Sequence, residues 1–165
     1  MRTYIIIGTG RSGTSFLAEC LKKNGVNIGK NFYQGENPHH GYENQEFVDV
    51  NKELFIDTFG KWGLMSPDNE KINYKKFEDK YKKLINNNKS ESWGVKEPRM
   101  TLFVDKFVDT LKDVDDDPFI YIALRKKKHI IKSAKKHNKE IKDEEIEKAI
   151  EIYKKSLINI INNFL

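Results

Sequence analysis

The feature that most limits what this chain can fold into lies at its start. Thr3 to Ile7 is a short β-branched and aromatic run that stops at Gly8. Such a run reads as a buried strand. Gly8-Thr9-Gly10-Arg11-Ser12-Gly13-Thr14-Ser15 follows, and then Phe16, Leu17, Cys20 and Leu21 recur at helical spacing until Asn24-Gly25. The chain therefore opens as strand, glycine-rich loop and helix. Gly8, Gly10 and Gly13 let the backbone turn tightly and aim its N–H groups into one concavity. The start of the following helix adds partial positive charge. Ser12, Thr14 and Ser15 add hydroxyl donors. A loop of this make-up binds a phosphate; the alternative is a plain strand-to-helix turn with incidental glycines.

The rest of the chain continues the alternation. Val26 and Ile28 suggest a short extended piece, and 34–41 is a loop by composition. A helix is expected from Asn44 or Gln45 to Phe59, with Phe47, Val48, Asn51, Leu54, Phe55 and Phe59 on its apolar side. A second loop, 60–73, leads to a polar helix over Tyr74–Ile85. Ser92–Val95 reads as a strand, Leu102–Leu111 as a helix and Asp113–Asp117 as a solvated acidic turn. Pro118–Leu124 is the best strand pattern in the chain, and Arg125 sits at its end. Helices over Lys127–His137 and Asp143–Phe164 close the sequence. Acids crowd the first turn of the last helix, as its dipole favours. Strands alternating with helices predict an α/β, three-layer, P-loop-like fold with a small central parallel sheet flanked by helices. At 165 residues the chain has room for one domain, 1–165.

Composition removes several classes. The single cysteine, Cys20, excludes a disulfide scaffold and a Cys-rich zinc site. No apolar run approaches the roughly 18 residues of a membrane span. The N-terminal apolar run is too short for a signal peptide, so a cytoplasmic location is expected. The net charge of +5 allows an anionic partner. Of the 30 basic residues only Arg2, Arg11, Arg99 and Arg125 are arginine, which makes each of them worth attention in a Lys-rich chain.

Gly8 and Gly13 have the G-x-x-x-x-G spacing of a P-loop, but Thr14 stands where a nucleotide triphosphatase has lysine. An NTPase also needs an acidic partner for Mg²⁺ on a later strand. Here the Phe119–Leu124 run is followed by Arg125 instead. The cation has moved into the loop as Arg11. The loop suits a single phosphate carrying a leaving or transferring group, with no metal required.

Gly10-Arg11-Ser12-Gly13-Thr14-Ser15 resembles the 5′-phosphosulfate loop of PAPS-dependent sulfotransferases, where Lys or Arg precedes Ser-Gly-Thr. A second motif of that family is an Arg at a strand end with a Ser eight residues on; Arg125 and Ser133 match it. Trp93-Gly94-Val95-Lys96-Glu97-Pro98-Arg99 is similar to the W-G-x-K-[DE]-P-R segment of the bacterial and carbohydrate-type branch. Asn37-Pro38-His39-His40-Gly41-Tyr42-Glu43 is similar to its N-P-x-G-Y-x-E segment, with one extra residue in the His pair.

The resemblance implies an enzyme that moves a sulfuryl group from PAPS to a hydroxyl or amine acceptor, carbohydrate among the options, by in-line displacement. PAP is the product. It implies that Gly10, Arg11, Ser12, Gly13, Thr14 and Ser15 hold the 5′-phosphosulfate, and that Arg125 and Ser133 hold the 3′-phosphate. Arg11 is then an electrostatic stabiliser, since a guanidinium does not give up its proton. Glu43 is the first choice of general base, with His39, His40 and Glu97 as alternatives; Lys96 is expected to face the sulfonate. Glu97, between Lys96 and Arg99, also suits a structural ion pair. Two other functions stay open: a P-loop kinase relative, and a non-catalytic nucleotide-binding protein without the glycine-rich C-terminal lid that many family members carry. Lys126–Lys128 and Lys135-Lys136 read as a solvated basic rim, not a nucleic-acid surface, because stacking residues are not interleaved with them.

Overall fold

The computed structural model describes residues 1–33, 41–63, 71–115 and 117–164. Its elements in chain order are β1 (Arg2–Gly8), α1 (Thr14–Lys23), α2 (Gln45–Phe59), a 3₁₀ turn (Tyr74–Phe77), α3 (Glu78–Asn88), β2 (Ser92–Lys96), a second 3₁₀ turn (Pro98–Leu102), α4 (Val104–Leu111), β3 (Phe119–Ala123), α5 (Lys127–His137) and α6 (Asp143–Phe164). The sheet is parallel, in the order β2-β1-β3. The architecture is the expected α/β sheet flanked by helices.

β1 is central because it is apolar on both faces. Ile5, Ile6 and Ile7 are fully buried, as a parallel strand covered on both sides requires. Ile6 packs with Ala18 of α1 and with Val26 and Ile28. Ile5 and Ile7 face the larger core, where Phe47 and Leu54 of α2, Tyr81 of α3, Phe107 of α4 and Tyr153 of α6 meet Trp93 and Val95 of β2. One layer is thus α1 and the other is α2, α3, α4 and α6. The fifth helix, α5, packs on α6 through Ile130, Ala134, Ile146 and Ile150.

Several boundaries differ from the sequence expectation, each for a local reason. The Tyr74 helix opens as a 3₁₀ turn over Tyr74–Phe77, and Asn73 gives it no side-chain cap. It then runs on to Asn88, whose side chain donates to Leu84 O at 2.9 Å. Helical structure at Leu102–Leu111 is split by Phe103, whose φ of −150° separates the 3₁₀ turn from α4. The Val26–Ile28 piece is a single bridge: Asn27 N donates to Ser92 O at 3.0 Å, and Gly94 N donates to Asn27 O at 2.9 Å. That bridge covers the outer edge of β2. The best strand pattern turns out to be an edge strand, with Phe119 50% exposed and Tyr121 37% exposed.

Chain direction across the sheet fixes where a ligand can sit. From β1 the chain returns to β2 on one side and then to β3 on the other. In open parallel sheets the crevice beyond the strand C-termini, at such a reversal, is where ligands bind. Register puts Ile6 beside Lys96 and Gly8 beside Ala123, so the 9–13 loop, Glu97 and Leu124-Arg125 leave the sheet at one common edge.

Candidate anion-binding site

The loop after β1 is pinned at its root. Gly8 N donates to Thr101 Oγ1 at 3.0 Å, and that hydroxyl donates back to Gly8 O at 3.1 Å. A side chain at Gly8 would meet Ala123 O at 2.6 Å and Ser12 Oγ at 2.8 Å, so only glycine fits between β1 and β3. Gly10 lies buried in the loop. Ser12 N donates to Thr9 O at 3.2 Å, closing the turn, and the buried Ser12 Oγ has no hydrogen-bond partner. Arg11 has a φ of 68° and Gly13 a φ of 113°. Both lie in the left-handed region that costs an ordinary residue strain, and such strain gathers at ligand sites. Gly13 caps α1 with no side-chain hydrogen bond, and no acid occupies the first turn. Phe16 N and Leu17 N donate to Gly13 O at 3.0 and 3.4 Å, while the N–H groups of Thr14 and Ser15 lie ahead of the first intrahelical acceptor. Thr14 is buried there, and Ser15 Oγ donates to Gly41 O at 3.2 Å.

Two distant segments converge on Arg11. Its Nε donates to Ser133 Oγ on α5 at 3.1 Å, across 122 residues of sequence. Arg125, just past β3, donates through Nη1 to Arg11 O at 3.0 Å. Arg11 is half-buried, and burial lowers its pKa from the ordinary value; Arg125 lowers it further, while Glu43 pulls the other way. Two guanidinium groups and a hydroxyl thus share one location. Like charges held together are repelled unless an anion lies between them. This arrangement makes the loop a candidate anion site.

Lys96 and Glu43 form the neighbouring feature. Lys96 ends β2, is only 2% exposed, and pairs with Glu43 Oε1, whose side chain is 14% exposed. Burial lowers the Lys96 pKa although Glu43 favours its charged form. Gly41 permits this approach: a Cβ there would overlap the Glu43 carboxylate. Glu97 points elsewhere. Its Oε1 accepts from Arg99 N at 3.1 Å and from Arg99 Nη1 at 2.6 Å, and the Arg99 guanidinium lies 3.8 Å from the centre of the Trp62 ring. Glu97 thus forms an ion pair with Arg99 through Oε1, while its buried Oε2 has no hydrogen-bond partner.

His39 and His40 fall outside the described residues. The structure brings together the loop, Arg125, Ser133, Glu43 and Lys96. It also adds residues that sequence reasoning passed over. Thr101 anchors the loop root, Trp62 stacks on Arg99, and His137 Nε2 accepts from Arg11 Nη2. His137 carried a usable signal, since it lies four residues after Ser133 and so on the same face of α5. Two surface cavities, of about 290 and 620 Å³, lie away from the loop. Among the described residues no cluster of His, Cys, Asp and Glu could hold a metal. Among the described residues no helix is long and apolar enough to cross a membrane.

Comparison with family models, curated proteins and solved structures finds no match for this chain.

Proposed function

We propose that this protein is a PAPS-dependent sulfotransferase acting on a hydroxyl or amine acceptor. The observation that carries the reading is the meeting of Arg11, Arg125 and Ser133, whose side chains come from three separate parts of the chain. The resemblance pairs these residues with the two ends of one nucleotide, whose binding would have to part Arg11 from Ser133, since Arg11 Nε now donates to Ser133 Oγ at 3.1 Å. They supply fixed cations, a hydroxyl, an uncapped helix start and an unpartnered buried Ser12 hydroxyl, all of them donors suited to phosphate oxygens.

When bound, PAPS supplies an activated sulfuryl group and a 5′-phosphate leaving group. The acceptor oxygen or nitrogen forms a bond to sulfur as the bond from sulfur to the phosphate oxygen breaks, and the electron pair departs with PAP. The first-turn N–H groups and Arg11 hold the oxygens on which charge grows. Arg125 and Ser133 grip the far end of the nucleotide and orient it. Glu43 takes the acceptor proton. Lys96 holds the Glu43 carboxylate in place through their ion pair and brings positive charge close to the loop. His40 is the other base in this scheme. The acceptor is a small molecule or a carbohydrate, and the setting is cytoplasmic.

A second reading rests on one observation, the pairing of Glu43 with Lys96. The carboxylate is already engaged by a buried ammonium, which favours a protein that binds the nucleotide without transfer. Calorimetry separates these from a kinase relative. The sulfotransferase reading expects PAP to bind equally with and without Mg²⁺, and ATP to gain nothing from Mg²⁺. Mg²⁺-dependent ATP binding would replace it with the kinase reading. Tight PAP binding, with no labelled sulfate passed from PAPS to any of a panel of sugars, phenols and amines, would favour the non-catalytic one.

A further inference from the structure

The contact between Arg11 and His137 goes beyond that reading, although it rests on it. A guanidinium has donors and no acceptor. His137 Nε2 must therefore be the acceptor in its contact with Arg11 Nη2. The imidazole in this state is neutral, with its proton on Nδ1. Ser133 Oγ accepts from Arg11 Nε one helical turn away, so a single guanidinium is held by two side chains of α5.

An anion entering between Arg11, Arg125 and Ser133 changes the balance at His137. The ligand's oxygens compete for the N–H groups of Arg11, and Nε2 loses the donor that kept it unprotonated. The ring then lies beside a dianion. An adjacent negative charge favours the protonated imidazole, which becomes a donor itself. His137 also lies in the last turn of α5, where the helix dipole favours positive charge. Among the described residues, Arg11 contacts the ring with Arg125 bonded to the Arg11 carbonyl behind it, and Lys135 and Lys136 flank it in the last turn of α5; Lys135 is itself paired with Asp143 of α6 at 2.7 Å. Arg11, Arg125 and the lysines oppose protonation in the empty site. The incoming phosphate reverses that sign.

We propose that His137 is a further binding residue of this site, one that takes up a proton when a phosphate monoester binds and then donates to it. The ligand class that gains most is a terminal, doubly charged phosphate. A singly charged diester offers less compensation to a third cation. The site thereby discriminates between a free 3′-phosphate and an internal phosphodiester through charge, in addition to shape.

The test compares PAP binding by the wild type and His137→Gln at about pH 6 and about pH 8. Glutamine keeps a side-chain acceptor for Arg11 but does not titrate, and thermal melts at both pH values check that the fold is kept. The phosphates of PAP titrate in this range too, and comparing the two proteins cancels that contribution. The wild type is expected to gain about tenfold more affinity than His137→Gln on going from pH 8 to pH 6. At about pH 7 its binding heat is expected to vary with the ionisation enthalpy of the buffer, reporting proton uptake that the variant lacks. PAP binding with the same pH ratio and the same proton uptake in both proteins would overturn the role of His137 and leave the nucleotide reading intact. No PAP binding by the wild type at either pH would overturn both.

Discussion

Arg11 is where most of the candidate site's physics meets. Its backbone carbonyl accepts from Arg125 and its side chain donates to Ser133 and His137, so one loop residue joins β3's exit to α5. Arg11, Arg125 and Ser133 were legible in the sequence because each falls in a short motif. The pairing of Lys96 with Glu43 was not, because 53 residues separate them and neither motif states which side chain will answer the other. Glu43→Gln tests the worth of that pairing. It leaves a buried ammonium beside a neutral amide, and the expected loss of stability is about 3 kcal/mol in urea unfolding. The double variant Glu43→Gln with Lys96→Met is expected to recover most of it, since the penalty lies in the unpaired charge. A pH consequence follows with a definite sign. Lys96 holds its proton less tightly folded than unfolded, so between its lowered pKa and the ordinary 10.5 the unfolded chain binds more protons. Stability contributed by this group therefore rises with pH through that window. Lys96→Met is expected to abolish the rise.

At the level of elements, strand and helix types were readable from periodicity, while their neighbours were not. The Phe119–Ala123 run has the pattern of a buried strand, yet it forms an edge, with Tyr4 stacked on Phe119 at a ring separation of 5.4 Å. An apolar run states that a residue favours burial; it does not state how many strands will be present to bury it. The loop between β1 and α1 was legible because glycine has few other reasons to recur at that spacing. Its two ends depend on glycine differently, and alanine separates them. Gly8→Ala forces a Cβ against the carbonyl of Ala123 and must move β1 from β3. Gly13→Ala meets no atom within 4 Å but strains a φ of 113°. Both are expected to lower the melting temperature, Gly13→Ala by about 2–8 °C for a cost of about 1–2 kcal/mol. Gly8→Ala should cost more, because backbone atoms must shift. A larger loss for Gly13→Ala would contradict the geometry of the loop root.

Over the whole molecule, charge and topology favour the same edge. The parallel order β2-β1-β3 sends three loops out together, and exposed Lys126, Lys127, Lys128, Lys135 and Lys136 surround the exit of β3. Part of that rim is spent on α6: Lys127 pairs with Glu147 at 2.9 Å and Lys135 with Asp143 at 2.7 Å. On the proposed function, the rest of its field, with a net charge of +5, would steer an anionic nucleotide toward the site. The association rate of PAP is accordingly expected to fall about tenfold between about 50 mM and about 500 mM NaCl in stopped-flow measurements, with a smaller change in dissociation. Total charge alone fits nucleic acid as readily; the proposed narrowing to a nucleotide partner rests on the meeting of Arg11, Arg125 and Ser133. That narrowing is tested most directly by titrating PAP and AMP, which differ only in the 3′-phosphate, into the wild type and Ser133→Ala. Arg125 and Ser133 holding that phosphate predicts PAP binding at least about tenfold tighter than AMP in the wild type, with most of the difference lost in Ser133→Ala. Equal affinity for PAP and AMP in the wild type would contradict it.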